Sequence, residues 1–262
     1  MLDINENERP LIQRIQSQSL NKRSLGLRGA IIPDTTPVPV FGDYRISEIV
    51  SIALNPSSNE FPAKISNRRL VHLSDLGIAP DYYQQGLDSM TEVQALKILD
   101  QCTRYFENNS YKWFDTASLA LKIGFDASYY ENGEMAFRAC HTDIFPWATN
   151  AFSTLSKHLQ REFKEENQNF LKWFLSRPQV TNLVILGNST WKEIEDVLDF
   201  KAEHREIPDI EQPPTFEYGK FKIDGINKPY FFSSKGPSAR GSDAEKYEIH
   251  KLFGNFIKSV KS

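Results

Sequence analysis

Apolar and polar positions alternate along the chain in blocks that predict strands and helices in turn. Short apolar runs bounded by turn residues predict β-strands, and these runs cover residues 49–54, 137–145, 182–186 and 228–233. A further strand over residues 216–223 is expected to form a hairpin that turns at Asp224-Gly225. Strands that alternate with helices favour a parallel sheet covered on both faces. The pattern therefore predicts an α/β protein with three layers, α/β/α, around a central, mostly parallel four-stranded sheet.

Helical periodicity fills the intervals between the predicted strands. Thr91 and Gln94 have the spacing of a capping box, and apolar residues then recur at helical intervals from Val93 to Phe106. Apolar stripes predict further helices over residues 111–123 and 152–175. Capping residues predict two more, one after Asn188 and Ser189 and one after a second capping box formed by Ser242 and Glu245. Such helices supply the outer layers of the predicted fold.

The first 45 residues differ from the rest of the chain. They contain few periodic apolar residues and include Pro33, Pro37 and Pro39, which favour extended conformations. The chain has 262 residues, of which 40% are hydrophobic, and this is enough to bury one substantial core. We therefore predict an N-terminal extended arm over residues 1–45 and one α/β domain over residues 46–262.

Composition narrows the range of functions. No apolar run approaches the roughly 20 residues that cross a bilayer, and the polar N-terminus lacks the apolar region of a signal peptide, so we expect a cytoplasmic protein with no membrane partner. Cys102 and Cys140 are isolated, and the histidines lack metal-ligand spacing, so we expect no metal and no cofactor. The formal net charge of -3 leaves room for a local basic groove. We expect a monomer with no obligate protein partner.

Polar residues end each of the predicted strands. The first strand runs into Asn55, the second contains His141 and Asp143, the third is followed by Asn188, and the fourth by Lys235. Because the carboxyl ends of parallel strands meet at one edge of an open α/β sheet, where ligands bind, this edge is the predicted active-site crevice. The alternative for Asn55 is an Asx turn that only terminates its strand.

Several segments, in this order, resemble the uracil-DNA glycosylase superfamily. Ala-Leu-Asn-Pro-Ser at residues 53–57 is similar to the Gly-x-Asn-Pro-Gly turn of the mismatch-specific and single-strand-selective branches, which carries a water-positioning Asn. Phe61-Pro62 and Asn67-Arg68-Arg69 resemble elements that follow in the mismatch-specific branch, and residues 236–241 are similar to the loop that enters the minor groove. The amino-acid sequences of residues 37–42 and 139–149 resemble those of a bacterial branch of the superfamily that is not obviously specific for uracil.

The resemblance implies a monofunctional DNA glycosylase with a uracil-DNA glycosylase-like fold. Such an enzyme extrudes a base from DNA and hydrolyses its N-glycosidic bond, which leaves an abasic site. Asn55 would hold the attacking water, and His141 or Lys235 would assist catalysis. The implied base-binding residues are Phe61, Asp143 and Asn188, and the implied DNA-binding residues are Arg68, Arg69, Gly236, Ser238 and Arg240.

Two residues depart from the family pattern. Asp143 stands where the single-strand-selective branch has an Asn that reads uracil, and a carboxylate accepts from the exocyclic amine that distinguishes cytosine from uracil. The structural alternative is that Asp143 caps a helix or pairs with Arg138 or His141. Gly236 stands where the family has a His that donates to the departing base, so Lys235 or His141 would have to replace that donor.

These departures suggest that the substrate is a modified cytosine. Excision of ordinary cytosine would damage the host genome, whereas hydroxymethylated or glucosylated cytosine of phage DNA is absent from it, so an antiviral defence role follows. Two alternatives stay open: a uracil or mismatch repair glycosylase, and a catalytically inactive DNA-binding module on the same scaffold. An unrelated α/β hydrolase or nucleotide-binding protein is disfavoured because the sequence has neither a Gly-x-Ser-x-Gly elbow nor a P-loop.

Overall fold

The computed structural model of the protein divides into two compact units. It describes residues 8–64, 67–85, 90–109, 111–130, 138–149, 152, 155–195, 198–210, 213–223, 226–235 and 242–261. Unit 1 comprises Met1–Phe41, Asn55–Tyr105 and Asp143–Leu171, and unit 2 comprises Gly42–Leu54, Phe106–Thr142 and Lys172–Ser262. Both units are therefore built from separate stretches of the chain.

Helices and strands alternate along much of the described chain. The α-helices are Arg9–Gln16 (α1), Leu25–Ala30 (α2), Tyr82–Gln85 (α3), Glu92–Thr103 (α4), Tyr105–Asn108 (α5), Lys112–Phe125 (α6), Lys157–Ser176 (α7), Asn188–Ile194 (α8) and Asp243–Lys261 (α9). The strands are Ile49–Ala53 (β1), Ala139–Asp143 (β2), Asn182–Leu186 (β3), Asp199–Glu206 (β4), Thr215–Ile223 (β5) and Ile226–Lys235 (β6). The predicted α/β class is confirmed.

Within the described residues the strands form one mixed, six-stranded sheet in the order β2-β1-β3-β6-β5-β4. β1 and β3 pair in parallel, as do β3 and β6, so the carboxyl ends of these three strands share one edge. β5 pairs antiparallel with both β6 and β4. The sheet thus has two more strands than predicted. β4 was missed because most of its residues are exposed and polar. This edge strand is held by backbone pairing with β5, by packing of Phe200 against aromatic rings and by the Arg205–Glu217 ion pair.

The remaining predicted strands lie close to their observed positions. β1 and β3 match the apolar runs at 49–54 and 182–186, and β5 and β6 form the predicted hairpin. β2 is shorter than the predicted 137–145, and Phe137 and the Asp224-Gly225 turn lie outside the described residues.

Local signals in the sequence located three helices, α4 and α9 by their capping boxes and α6 by its apolar stripe, and predicted the wrong cap for a fourth, α8. In α4 the Thr91 backbone N–H donates to Gln94 Oε1 at 2.7 Å, and the Gln94 N–H donates to Thr91 Oγ at 3.3 Å. Ser242 and Glu245 make the equivalent reciprocal pair before α9, and α6 begins one residue from its predicted start. Asn188, however, is the first residue of α8, and the cap is Gly187 with φ at 94°, a conformation that favours glycine.

The N-terminal segment, expected to be an extended arm, instead contains helices α1 and α2. Leu11, Ile12 and Ile15 of α1 are buried, and α1 packs against α4 within unit 1. The prediction of extended chain is therefore wrong for this part. These three residues do have helical spacing, but the helix is only eight residues long, which is short for a periodicity argument, and its stability comes from packing.

Helices α6 and α9 cross closely within unit 2. A Cβ atom at Gly124 would lie 2.6 Å from Ile257 Cγ2, and one at Gly254 would lie 2.7 Å from Ile123 Cβ. These two positions therefore require glycine, because any side chain would push the two backbones apart. No helix in the described part of the chain is both long and apolar enough to cross a bilayer.

Candidate active site

Asn55 follows β1 and presents an open acceptor. Its Nδ2 donates to the Pro56 carbonyl at 3.0 Å and to Thr149 Oγ at 3.3 Å. Because the Pro56 carbonyl can only accept, these contacts decide which way the amide faces. Among the described residues none donates to Asn55 Oδ1. The side chain therefore does not form the Asx turn considered from sequence, since that turn needs Oδ1 to accept from the Ser57 N–H.

Glu60 lies five residues further on and is a buried carboxyl that the sequence analysis missed. Glu60 is the last residue of a short 3-10 helix, Ser58–Glu60, which is capped by Ser57, and it is 2% exposed. Tyr105 Oη donates to Glu60 Oε2 at 2.5 Å. Burial raises the pKa of Glu60 to about 7, the Tyr105 hydrogen bond and Arg69 oppose that rise, and the charge of Asp143 adds to it. Near neutral pH this group can therefore either hold or release a proton.

Phe61, the predicted stacking residue, packs beside His72. Phe61 is buried, and the two ring centroids lie 5.7 Å apart in an edge-to-face arrangement. His72 Nδ1 lies 3.1 Å from Asp34 Oδ2, and Asp34 also accepts from the Ser74 N–H at 2.7 Å. His72 Nε2 is buried without a hydrogen-bond partner among the described residues. The sequence does not reveal the pairing of His72 with Asp34, because the two residues lie 38 positions apart in the chain.

Asp143 ends β2 and is 2% exposed. The fully buried guanidinium of Arg14 donates to the backbone carbonyls of Asp143 at 3.1 Å and Ile144 at 2.9 Å. Burial lowers the pKa of Arg14 to about 9, while Asp143 and Glu166 act to raise it. Helix α1 thus supplies a buried cation that positions the end of β2. Arg138, one alternative partner for Asp143, pairs instead with Glu48.

His141 lies in a buried polar network of unit 2. Its Nδ1 is 2.7 Å from Ser51 Oγ, which also accepts from Tyr129 Oη at 2.5 Å. The imidazole ring packs edge-on against Trp113 and Phe114. This environment resembles that of a structural histidine, because the ring is held by both hydrogen bonding and aromatic packing.

Lys235 is engaged in an ion pair of unit 2. Its Nζ lies 2.5 Å from Glu217 Oε2 and 3.5 Å from the centroid of the Trp191 ring. Arg205 Nε donates to the other oxygen of Glu217 at 2.9 Å. Burial would raise the pKa of Glu217, but hydrogen bonds from Lys235 and Arg205 lower it overall. Asn188 is exposed at the start of α8.

The predicted DNA-binding residues fall into two groups. Arg68 pairs with Asp75, and Arg69 Nη1 donates to the Asn59 carbonyl at 2.7 Å. The predicted contacts Gly236, Ser238 and Arg240 lie outside the described residues.

The predicted site residues are divided between the two units. Unit 1 contains Asn55, Phe61, Arg68, Arg69 and Asp143, whereas His141, Asn188 and Lys235 belong to unit 2. In the described part of the chain no group of three or more His, Cys, Asp or Glu residues could hold a metal ion. The sequence matches no protein-family model, and no curated protein matches it.

Proposed function

We propose that this protein is a DNA glycosylase that hydrolyses the N-glycosidic bond of a flipped-out base. The observation that carries the proposal is the orientation of Asn55: its amide nitrogen donates to the Pro56 carbonyl and to Thr149, and none of the residues that the structure describes donates to its Oδ1. A fixed acceptor of this kind can hold a water molecule ready to attack. In a glycosylase that water adds to C1′ of the sugar while the base departs with the bonding electrons.

A modified cytosine is the substrate class that we propose. Asp143 is a buried acceptor, and Arg14 holds its backbone in place through the adjoining carbonyls. A carboxylate there would accept from an exocyclic amine, which cytosine has and uracil lacks. Hydroxymethylated or glucosylated cytosine of phage DNA satisfies this requirement without exposing the host genome to excision, which supports an antiviral role.

We propose the following partner, location, oligomeric state and fold. DNA is the partner, Arg68 and Arg69 contribute to phosphate contacts, and the protein acts as a cytoplasmic monomer. Its mixed sheet and helices belong to a three-layer, uracil-DNA glycosylase-like arrangement. Phosphate contacts of this kind position the DNA and make its affinity fall with rising salt.

The test is base release from a panel of DNAs. Single- and double-stranded DNAs containing uracil, cytosine, hydroxymethylcytosine or glucosylated hydroxymethylcytosine are incubated with the protein, abasic sites are revealed by alkali, and freed bases are identified by mass spectrometry. We expect release of a modified cytosine. Ready release of uracil, with modified-cytosine DNA left intact, would overturn the substrate assignment.

Matched variants test the role of Asn55. Asn55→Ala should lower the single-turnover rate by roughly 10²- to 10³-fold, the cost of losing one preorganised polar group. Asn169→Ala, an exposed position on α7 in the same unit, should leave the rate unchanged. Asp143→Asn should shift the preference away from amine-bearing bases. Equal rates for Asn55→Ala and the wild type would contradict the assignment of the water-holding residue.

An inactive DNA-binding module is the second candidate. It is favoured by the contacts of Lys235 with Glu217 and of His141 with Ser51, because groups already bonded in this way are poor replacements for the missing loop His. Tight DNA binding with no release of any base would favour the module.

A further inference from the structure

The proposed reaction needs a proton donor for the departing base. The family's donor position falls on Gly236, and the two replacements considered from sequence already contact Glu217 and Ser51 in unit 2. We infer that Glu60 is the general acid that protonates the leaving base. This inference rests on the proposed glycosylase function and adds a catalytic residue to it.

The position of Glu60 fits this role. In the sequence it follows Asn55 by five residues and directly precedes Phe61, and its buried carboxyl is close enough to Asp143 for the charge of Asp143 to act on it. Tyr105 anchors Oε2 at 2.5 Å, whereas Oε1 has no hydrogen-bond partner among the described residues. One oxygen is thus held in place, and the other is left to exchange a proton with a ligand.

The surrounding groups keep that proton available. Burial raises the pKa of Glu60 to about 7, and the charge of Asp143 acts in the same direction, whereas the Tyr105 hydrogen bond and the charge of Arg69 act to lower that pKa. A negative charge nearby disfavours a second one on Glu60. A general acid works best when its pKa lies near the working pH.

The chemical step balances. As the bond between C1′ and the base nitrogen breaks, its electron pair passes to the base, and the Glu60 Oε1 proton transfers to a ring nitrogen or carbonyl oxygen of that base. Water held by Asn55 forms the new C1′–O bond and loses one proton, which restores the Glu60 carboxyl. The net reaction consumes one water and releases the abasic site and the neutral base.

The main experiment measures single-turnover base release against pH. We expect the wild-type rate to fall about tenfold per pH unit above roughly pH 7, because the ionised acid cannot donate. Glu60→Gln should reduce the rate by roughly 10²- to 10⁴-fold, abolish that falling limb and leave DNA affinity unchanged. Glu92→Gln, an exposed carboxylate of α4 in the same unit, should behave as wild type.

A second variant tests the mechanism even if Glu60→Gln folds poorly. The Tyr105 hydrogen bond lowers the pKa of Glu60, so Tyr105→Phe should move the falling limb to higher pH while activity at pH 6 is retained. The inference would be overturned if the rate of Tyr105→Phe began to fall at the same pH as the rate of the wild type. A Glu60→Gln variant that is folded by circular dichroism and retains the wild-type rate would also overturn it.

A substrate-free readout separates this inference from the proposed function. Infrared difference titration of the wild type against Glu60→Gln should reveal one carboxyl that ionises near pH 7, and its absence would overturn the inference. Base release that persists in Glu60→Gln would remove the acid role and leave the glycosylase proposal standing. Failure of the wild type to release any base from the DNA panel would overturn both.

Discussion

Glu60 of unit 1 and Glu217 of unit 2 are equally buried, each 2% exposed, yet their pKa values move in opposite directions. Burial penalises the charge on both. Glu217 contacts two cations, Lys235 and Arg205, and these outweigh the penalty. Glu60 has a neutral hydrogen-bond donor in Tyr105, and the charges of Arg69 and Asp143 act on its pKa in opposite directions, so burial prevails.

The two carboxyls therefore serve different ends. A carboxylate held between two cations stays ionised and joins strands of a sheet, whereas a carboxyl with one neutral partner titrates near the pH of the cell. The same contrast separates two asparagines of unit 1. Asn167 both accepts from Arg14 and donates to the Phe163 carbonyl, whereas no residue in the described part of the chain donates to Asn55 Oδ1. The residues of the candidate site are therefore distinguished from other buried polar residues by an acceptor without a donor among the described residues, and not by burial alone.

The strongest test of the comparison is Glu217→Ala. It leaves Lys235 and Arg205 without their carboxylate and should lower the free energy of unfolding by about 3 kcal/mol at pH 7, measured by urea denaturation. Because the pKa of Glu217 is lowered, its contribution is present above its unfolded pKa and is lost as the pH falls through its folded pKa. The deficit should therefore shrink in acid. Glu203→Ala removes a more exposed ion pair with Lys220 and should cost under about 0.5 kcal/mol; equal losses would contradict the comparison.

Glu60→Gln should have the opposite dependence on pH. Because the folded pKa of Glu60 is raised from 4.5 to about 7, the stabilisation from its protonated form is complete below pH 4.5 and is lost as the pH rises through 7. The wild type should lose about 2 kcal/mol of unfolding free energy between pH 5 and pH 8 that the variant keeps. Thermal and urea denaturation across this range measure the difference. Parallel stability curves for the two proteins would show that Glu60 titrates normally.

Lys235→Met tests whether this lysine is structural. Arg205 still pairs with Glu217 after the change, so we expect a loss of about 1.5 kcal/mol in the free energy of unfolding and a higher pKa for Glu217, which NMR titration of the carboxyl measures. Base release should persist. A rate reduced by roughly 10²-fold or more in a folded variant would instead identify Lys235 as the catalytic donor.

Tyr105→Phe should have the smallest effect on stability. Loss of the hydrogen bond to Glu60 should cost about 1 kcal/mol, with the larger cost at pH 8, where the carboxyl is ionised and the bond is stronger. Urea denaturation at pH 5 and pH 8 measures both values. An equal cost at the two pH values would indicate that the carboxyl does not change charge between them.

Local patterns in the sequence were sufficient for much of the fold. The apolar runs located β1, β3 and the β5-β6 hairpin, and the residues of two capping boxes located the starts of α4 and α9. These signals succeed because they depend on neighbours within a few positions. Strand β4 is mostly polar and helix α1 has only eight residues, so their local patterns are weak guides, and both elements depend on tertiary contacts.

The candidate site divides in the same way. Asn55 stood out in the sequence because it follows an apolar run, and Asp143 because the family resemblance places it where the single-strand-selective branch has an Asn. The Pro56 carbonyl next to Asn55 in the chain determines which way the amide faces, Thr149 adds a contact from 94 positions away, and the pKa of Glu60 depends on burial and on Tyr105, Arg69 and Asp143. The sequence thus determines which chemical groups the site contains. Their charge states and hydrogen bonds also depend on groups that only folding brings within hydrogen-bonding or electrostatic range.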